Sequence, residues 1–143
     1  MTTVFKYGYV YQFRLPVQMI PEYRADIRER REAIGYEMAD GIHYCLVVSN
    51  DDFNSANSRG VVVVPMTSAK DEKGGEKFFR SGGPWVRIVF KGKPAYVLCE
   101  QIRYIDRRRH VQGVEFRLLD YDLKQVQKTL ENLLLPPPLA KAA

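Results

Sequence analysis

The chain has 143 residues, 45% of them hydrophobic and 27% charged, with 22 Lys and Arg against 17 Asp and Glu for a net charge of +5. This balance excludes a disordered polyelectrolyte and fits one globular domain over 1–143, large enough to fold without metal or disulfide. No apolar run approaches the roughly 20 residues that cross a bilayer, and Met1-Thr2-Thr3-Val4-Phe5-Lys6 does not read as a signal peptide, so a cytoplasmic protein without a membrane partner is expected.

Tyr7 to Arg14 alternates and is rich in aromatic and β-branched residues, which predicts a strand that Pro16 ends. Pro21 to Ile34 then reads as a helix. Ile20, Tyr23, Ile27 and Ile34 share one face, Arg24, Arg28 and Arg31 another, and Gly35 follows as a stop. His43 to Ser49 predicts a second strand, closed by the turn residues Asn50-Asp51-Asp52. Val61 to Met66 predicts a third, and its four consecutive valines imply burial on both faces.

Residues 67–83 hold Gly74, Gly75, Gly82 and Gly83 and many charges without a period, the pattern of a long loop. Trp85 to Phe90 and Ala95 to Cys99 form a predicted hairpin around Lys91-Gly92-Lys93-Pro94, and Val114 to Leu118 a short last strand. Asp120 or Asp122 is placed to cap a final helix with the apolar stripe Leu123, Val126, Leu130, Leu133 and Leu134. Pro136-Pro137-Pro138 ends that helix, and 136–143 reads as a flexible tail. Helices do not alternate with strands, so the order predicts a bent antiparallel sheet or small barrel rather than a parallel α/β fold.

Cys45 and Cys99 lie in apolar runs without CxxC spacing, the expectation being buried free thiols and no zinc site. The glycine pairs lack the spacing of phosphate-binding loops, and His43 and His110 alone give too few ligands for a histidine metal site. What remains is a set of polar residues at strand ends. Thr67 and Ser68 follow the valine strand, and Glu100, Gln101 and Arg103 follow the segment ending at Cys99. Hydroxyls, an amide and a guanidinium suit a phosphodiester. The same residues serve equally as turn caps and a surface ion pair.

The order of the segments carries more than any one of them. Gly8-Tyr9-Val10-Tyr11 is followed by Gly35-Tyr36-Glu37, Val47-Val48-Ser49-Asn50-Asp51, Pro65-Met66-Thr67-Ser68 and Glu100-Gln101-Ile102-Arg103-Tyr104-Ile105-Asp106. In that order the chain resembles the MazF/PemK family of toxin endoribonucleases, the toxins of type II toxin–antitoxin systems. The resemblance spans nearly the whole chain. It implies a mainly β fold with α, a small SH3-like barrel of the MazF/CcdB type with a C-terminal helix, here with an inserted helix near residues 21–34. It also implies a homodimer that cleaves single-stranded RNA, mRNA included, without metal or cofactor, and a cognate antitoxin that silences it. Carried over, Thr67 holds the scissile phosphate and Ser68 assists. Glu100 and Gln101 contact RNA near the cut, Arg103 supports them, and the loop from Ala69 to Gly83 covers the groove.

Two departures stand out. The family's Arg-Pro before the second strand is His43-Tyr44 here. Histidine exchanges protons near neutral pH but lacks the permanent bidentate charge of arginine. His43 is therefore either a substituted catalyst or the mark of a catalytically impaired MazF-like module that binds nucleic acid or protein. The second departure is the segment from Val17 to Ile34, whose arginines form either an RNA-binding ridge or a solvated face partly cancelled by Glu29 and Glu32.

Overall fold

A computed structural model of the chain describes residues 3–15, 41–56, 59–70, 73–75 and 83–136. The expected helix over 21–34, residues 71–72 and 76–82 of the loop between Ala69 and Gly83, and the tail from 137 onward lie outside the described residues.

The strands are β1 (Tyr9–Leu15), β2 (Gly41–Val47), β3 (Gly60–Ser68), β4 (Trp85–Phe90), β5 (Lys93–Leu98), β6 (Arg103–Asp106) and β7 (His110–Arg117). They pair antiparallel in the order β4-β5-β3-β2-β1-β7, with β6 also on β3. The sheet curls into a half-barrel closed by a C-terminal helix, as the resemblance implies. β3 causes the curl. Gly60 to Val63 pairs with β6, whereas Met66 to Ser68 pairs with β5.

Alternation along the strands divides the apolar side chains between two cores. Tyr11, Phe13 and Leu15 of β1 join Cys45, Val47, Val61, Val63 and Ile105 in one. Val10, Leu46, Val64 and Met66 join Val86, Ile88 and Val97 in the other. The valine run thus feeds both cores, with only Val62 half-buried. Both cysteines are buried free thiols, and burial pushes each thiol pKa up to about 12, which keeps them inert at neutral pH.

Several local expectations need correction. Asn50-Asp51-Asp52 does not simply turn; it opens a short helix, α1 (Asp51–Ala56). Asn50 Oδ1 accepts the Phe53 N–H at 2.8 Å, an N-cap bond. Asp51 Oδ1 accepts the Tyr7 N–H at 2.8 Å and so ties the N-terminal segment to this helix. Thr67 and Ser68 belong to β3 rather than to the loop, and β7 begins at His110 rather than Val114.

The final helix, α2 (Asp120–Leu134), is not capped by either aspartate. Its N-cap is Leu119, with no side-chain cap bond, and both aspartates sit in its first turn. Asp120 is instead held by Arg117 at 2.8 Å. The apolar stripe buries Leu123 and Val126 and half-buries Leu130, but Leu133 and Leu134 remain 44% and 59% exposed. Two glycines allow close approaches that a side chain would block. Gly8 has φ +83° and faces Leu123 of α2, and a Cβ at Gly60 would lie 2.1 Å from the Ile105 carbonyl oxygen of β6.

Candidate functional site

Strand register decides which polar residues meet. Thr67 of β3 pairs with Tyr96 of β5, and Tyr96 pairs with Arg87 of β4, so the three form one row across three strands. Directly opposed residues share a face. The buried β4 residues are Val86, Ile88 and Phe90, which leaves Trp85, Arg87 and Val89 on the outer side. Arg87 is exposed, Trp85 and Thr67 are half-buried, and Tyr96 is buried.

Trp85 links this row to the next polar segment. Cys99–Gln101 forms a 3₁₀ turn directly after β5. Glu100 is exposed at the residue level, but partial desolvation of its carboxyl raises it above its ordinary pKa, opposed by hydrogen bonds from its own backbone, the Trp85 side chain and Gln101. A carboxyl lifted in this way exchanges a proton more readily near neutrality than an ordinary glutamate. Arg103 clamps Gln101: its Nε donates to the Gln101 carbonyl at 3.0 Å and Nη2 donates to Oε1 at 3.1 Å. Arg103 itself pairs with Val63, four residues back along β3 from Thr67, or roughly 13 Å of strand. It is thus placed to orient Gln101 rather than to reach Thr67.

His43 approaches from the other side of β3. Cys45 pairs with Pro65, and His43 lies two residues before the one as Thr67 lies two after the other. By strand alternation both sit on the same side of the β2–β3 pair. Ser68 does not share that side. Its Oγ accepts from the Lys70 N–H and donates to the Lys70 carbonyl, both at 3.3 Å, so it shapes the turn after β3. With Thr67 it lines a cavity of about 390 Å³ walled by Tyr44, Phe90, Lys91 and Lys93. Lys91 Nζ donates to Tyr44 Oη at 3.0 Å and stands 4.9 Å from the Tyr44 ring centroid.

The sequence thus points to Thr67, Ser68, His43, Glu100, Gln101 and Arg103, of which Ser68 lies off the Thr67 side, but it does not point to Arg87, Tyr96 and Trp85. The alternation from Trp85 to Phe90 was the available signal for two of them. It puts Trp85 and Arg87 on one side of β4, though it cannot say which strand they oppose.

His110 occupies a different position. Phe13 pairs with both His43 and His110, so these three form a second row across β2, β1 and β7. The His110 ring lies 5.1 Å from Phe5, 5.9 Å from Tyr11 and 5.7 Å from Phe13. Burial lowers its pKa, against an opposing pull from Glu115 and with a smaller push from Arg107. The unfolded chain therefore takes the proton first as pH falls below about 6.5. Stability is expected to be flat above that pH and to decline on acidification toward the lowered folded-state value. Urea midpoints between pH 7 and 5 should fall less for His110→Gln than for wild type; parallel profiles would remove His110 as the cause.

Comparisons with known proteins agree with this architecture. A family model described as PemK-like, MazF-like toxin of type II toxin–antitoxin system matches residues 24–134. No curated protein matches. Among solved structures, an endoribonuclease in complex with its cognate antitoxin from a mycobacterial species aligns at TM-score 0.59. It has 20% identity and covers 93% of this chain and 98% of that one. MazF from Deinococcus radiodurans aligns at TM-score 0.55, also at 20% identity and with the same coverage. At that identity the two alignments bear on the fold.

Proposed function

The chain belongs to the family of PemK-like, MazF-like toxins of type II toxin–antitoxin systems, and from that premise we propose that it is an endoribonuclease that cuts single-stranded RNA without a metal ion. The observation that carries this reading is the row Thr67–Tyr96–Arg87, which sets a hydroxyl and a permanent cation on one face beside Trp85, Glu100 and Gln101.

In the proposed reaction a ribose 2′-hydroxyl attacks the adjacent phosphorus. The P–O5′ bond breaks, leaving a 2′,3′-cyclic phosphate and a 5′-hydroxyl. One proton leaves the 2′-oxygen and one reaches the 5′-oxygen, so no water or cofactor is consumed. The Thr67 hydroxyl donates to a non-bridging phosphate oxygen, and Arg87 stabilises the charge that builds there. His43, on the Thr67 side, and Glu100, with its raised pKa, are the groups that move protons. Gln101, held by Arg103, and the half-buried Trp85 ring contact nucleotides by hydrogen bonding and stacking. Arg87 supplies what histidine lacks at position 43, a charge independent of pH.

A partner antitoxin and a homodimer belong to the same proposal. The aligned mycobacterial endoribonuclease is bound to its antitoxin, and a segment that covers the Thr67 row would silence cleavage by excluding RNA. A cytoplasmic location completes the proposal; no described helix is long and apolar enough to cross a membrane.

The test is cleavage of single-stranded RNA of mixed sequence in EDTA, by wild type and by Arg87→Ala. Wild type is expected to cut, and Arg87→Ala to lose about 10²-fold or more in rate, with partial recovery in Arg87→Lys. Absence of cleavage by the wild-type protein, with RNA binding intact, would overturn the enzyme in favour of a binding module that has lost its catalyst. Full activity in Arg87→Ala would remove Arg87 from the site.

A further inference from the structure

The cavity beside Thr67 has an apolar floor and a cationic rim, and its other walls take no part in the reaction above. It exists because two strands part. β2 and β3 pair from Val47–Val63 to Cys45–Pro65. Beyond that point β3 turns to β5, pairing Met66 with Val97 and Thr67 with Tyr96. Among the described residues Tyr44 therefore has no partner on β3, and the cavity of about 390 Å³ opens where the strands separate. Tyr44 and Met66 belong to the core side with Val97 and Phe90, and Thr67 alternates to the outer side. With no ladder between β2 and β3 at this point among the described residues, the cavity reaches both sides, and Thr67 is one of its walls.

The remaining walls are aromatic, apolar and positively charged. Met66 and Phe90 are buried, and the half-buried Tyr44 ring meets Phe90 edge-on at 4.8 Å. Lys91 Nζ donates to Tyr44 Oη at 3.0 Å and stands 4.9 Å and 5.6 Å from the Tyr44 and Phe90 ring centroids. An ammonium has three donors, so two remain for a ligand. Lys93 adds a second charge. No carboxylate lines the cavity, and among the described residues neither lysine has one at ion-pair distance.

The backbone gives an independent indication. Lys91 and Gly92 form the two-residue turn of the β4–β5 hairpin, with φ +51° and +76°. Asparagine, aspartate or glycine usually takes the first place of such a turn, and a lysine there is strained. Among the described residues Lys91 is the only non-glycine with positive φ. Strain of this kind collects at ligand-binding positions, and here it sets an ammonium over two aromatic rings.

Aromatic walls suit a flat ring, and open ammonium donors suit the carbonyl and ring-nitrogen acceptors on the edge of a base. The volume is at the small end of ligand pockets, with room for one ring system. Two lysines without acidic partners attract the phosphate backbone that carries such a ring. Thr67 sets the place along the strand, because its hydroxyl holds the scissile phosphate in the reaction above. We propose that this cavity is a nucleobase pocket: it takes the base of a nucleotide flanking the scissile phosphate against Tyr44 and Phe90, and Lys91 reads its edge. This inference rests on the ribonuclease reading and deepens it, since Tyr44 and Lys91 become specificity-determining residues.

Met66, on the cavity floor, reports occupancy. The full chain is labelled with carbon-13 at the methionine methyl groups, and the Met66 signal is identified by its loss in Met66→Leu. Short 2′-fluoro RNAs of mixed sequence, which lack the attacking hydroxyl and stay intact, are titrated in beside an abasic chain of the same length. The Met66 signal should shift with the base-bearing RNA and stay still with the abasic chain. Tyr44→Ala should weaken RNA affinity about fivefold or more, the usual effect of losing a base–aromatic stack, and leave affinity for the abasic chain unchanged. Lys91→Asn should weaken RNA binding likewise while its melting temperature stays at or above wild type, since asparagine suits the turn. An unmoved Met66 signal at saturating RNA would overturn the pocket and leave the ribonuclease reading standing. If Lys91→Asn melts lower yet binds RNA as wild type does, Lys91 merely holds the turn and its assigned role fails. Wild type that binds no RNA would sink the ribonuclease reading and the pocket with it. A Met66 signal that moves only with an acidic antitoxin peptide would assign the cavity to a protein partner, against the proposal.

Discussion

Thr67→Ala is expected to lower the rate of RNA cleavage by roughly 10²–10³-fold, the usual cost of removing one donor to a developing oxyanion. The fold should survive. Thr67 joins β3 to β5 through backbone pairing with Tyr96, which alanine retains. The intrinsic strand preference lost is within about 1 kcal/mol. Thr67→Ser restores the hydroxyl without the methyl group and should recover most of the activity. The two variants together separate chemistry from packing. Steady-state kinetics on a fluorogenic RNA and thermal melting by circular dichroism provide the two readouts. Cleavage by Thr67→Ala within a few-fold of wild type would place the phosphate elsewhere on the face, nearest Arg87 or Glu100.

The sequence reveals the elements and loses the pairings between them. Alternation in β1 shows in the sequence because the side chains of Tyr11, Phe13 and Leu15 are buried on one face, and β4 shows as one arm of a hairpin. The valine run announces a strand that feeds two cores, and both do use it. β6 has no signal of its own. Only four residues long, it is strand-like because Gly60 lets its backbone close on β3. The α2 cap is missed for a related reason. Asp120 has capping chemistry, but an ion pair to Arg117 takes its carboxylate and the helix starts one residue earlier.

The site divides the same way. Glu100, Gln101 and Arg103 are contiguous enough to be noticed, and the structure links Arg103 to Gln101 within that short span. Thr67, Tyr96 and Arg87 are scattered along the chain, and only the registers of two separate strand pairs put them in a row. His43 reads from sequence as either a substituted catalyst or the mark of lost activity, a histidine where the family has a permanent charge. Register puts a permanent charge, Arg87, on the opposite side of Thr67, on a strand that the sequence marks only as one arm of a hairpin.

Phe13→Ala is expected to destabilise the fold by about 3–5 kcal/mol, the range for emptying a fully buried aromatic site. Phe13 has no exposed surface. Its ring stacks on Phe5 at 5.6 Å and meets His110 at 5.7 Å, while its backbone pairs β1 with His43 and with His110 at once. Collapse into the space is restricted because those neighbours are fixed by their own strands. Since ordinary domains have only about 5–15 kcal/mol of stability, the urea midpoint should move far enough to be measured with confidence at pH 7. The consequence for His110 follows from the same cavity. If water enters the emptied space, the imidazole regains solvation and its lowered pKa moves back toward its ordinary value. The acid-induced loss of stability between pH 7 and 5 should then be smaller in Phe13→Ala than in wild type. A cost below about 1 kcal/mol, or an unchanged acid profile, would mean that burial in this aromatic row is not what depresses His110.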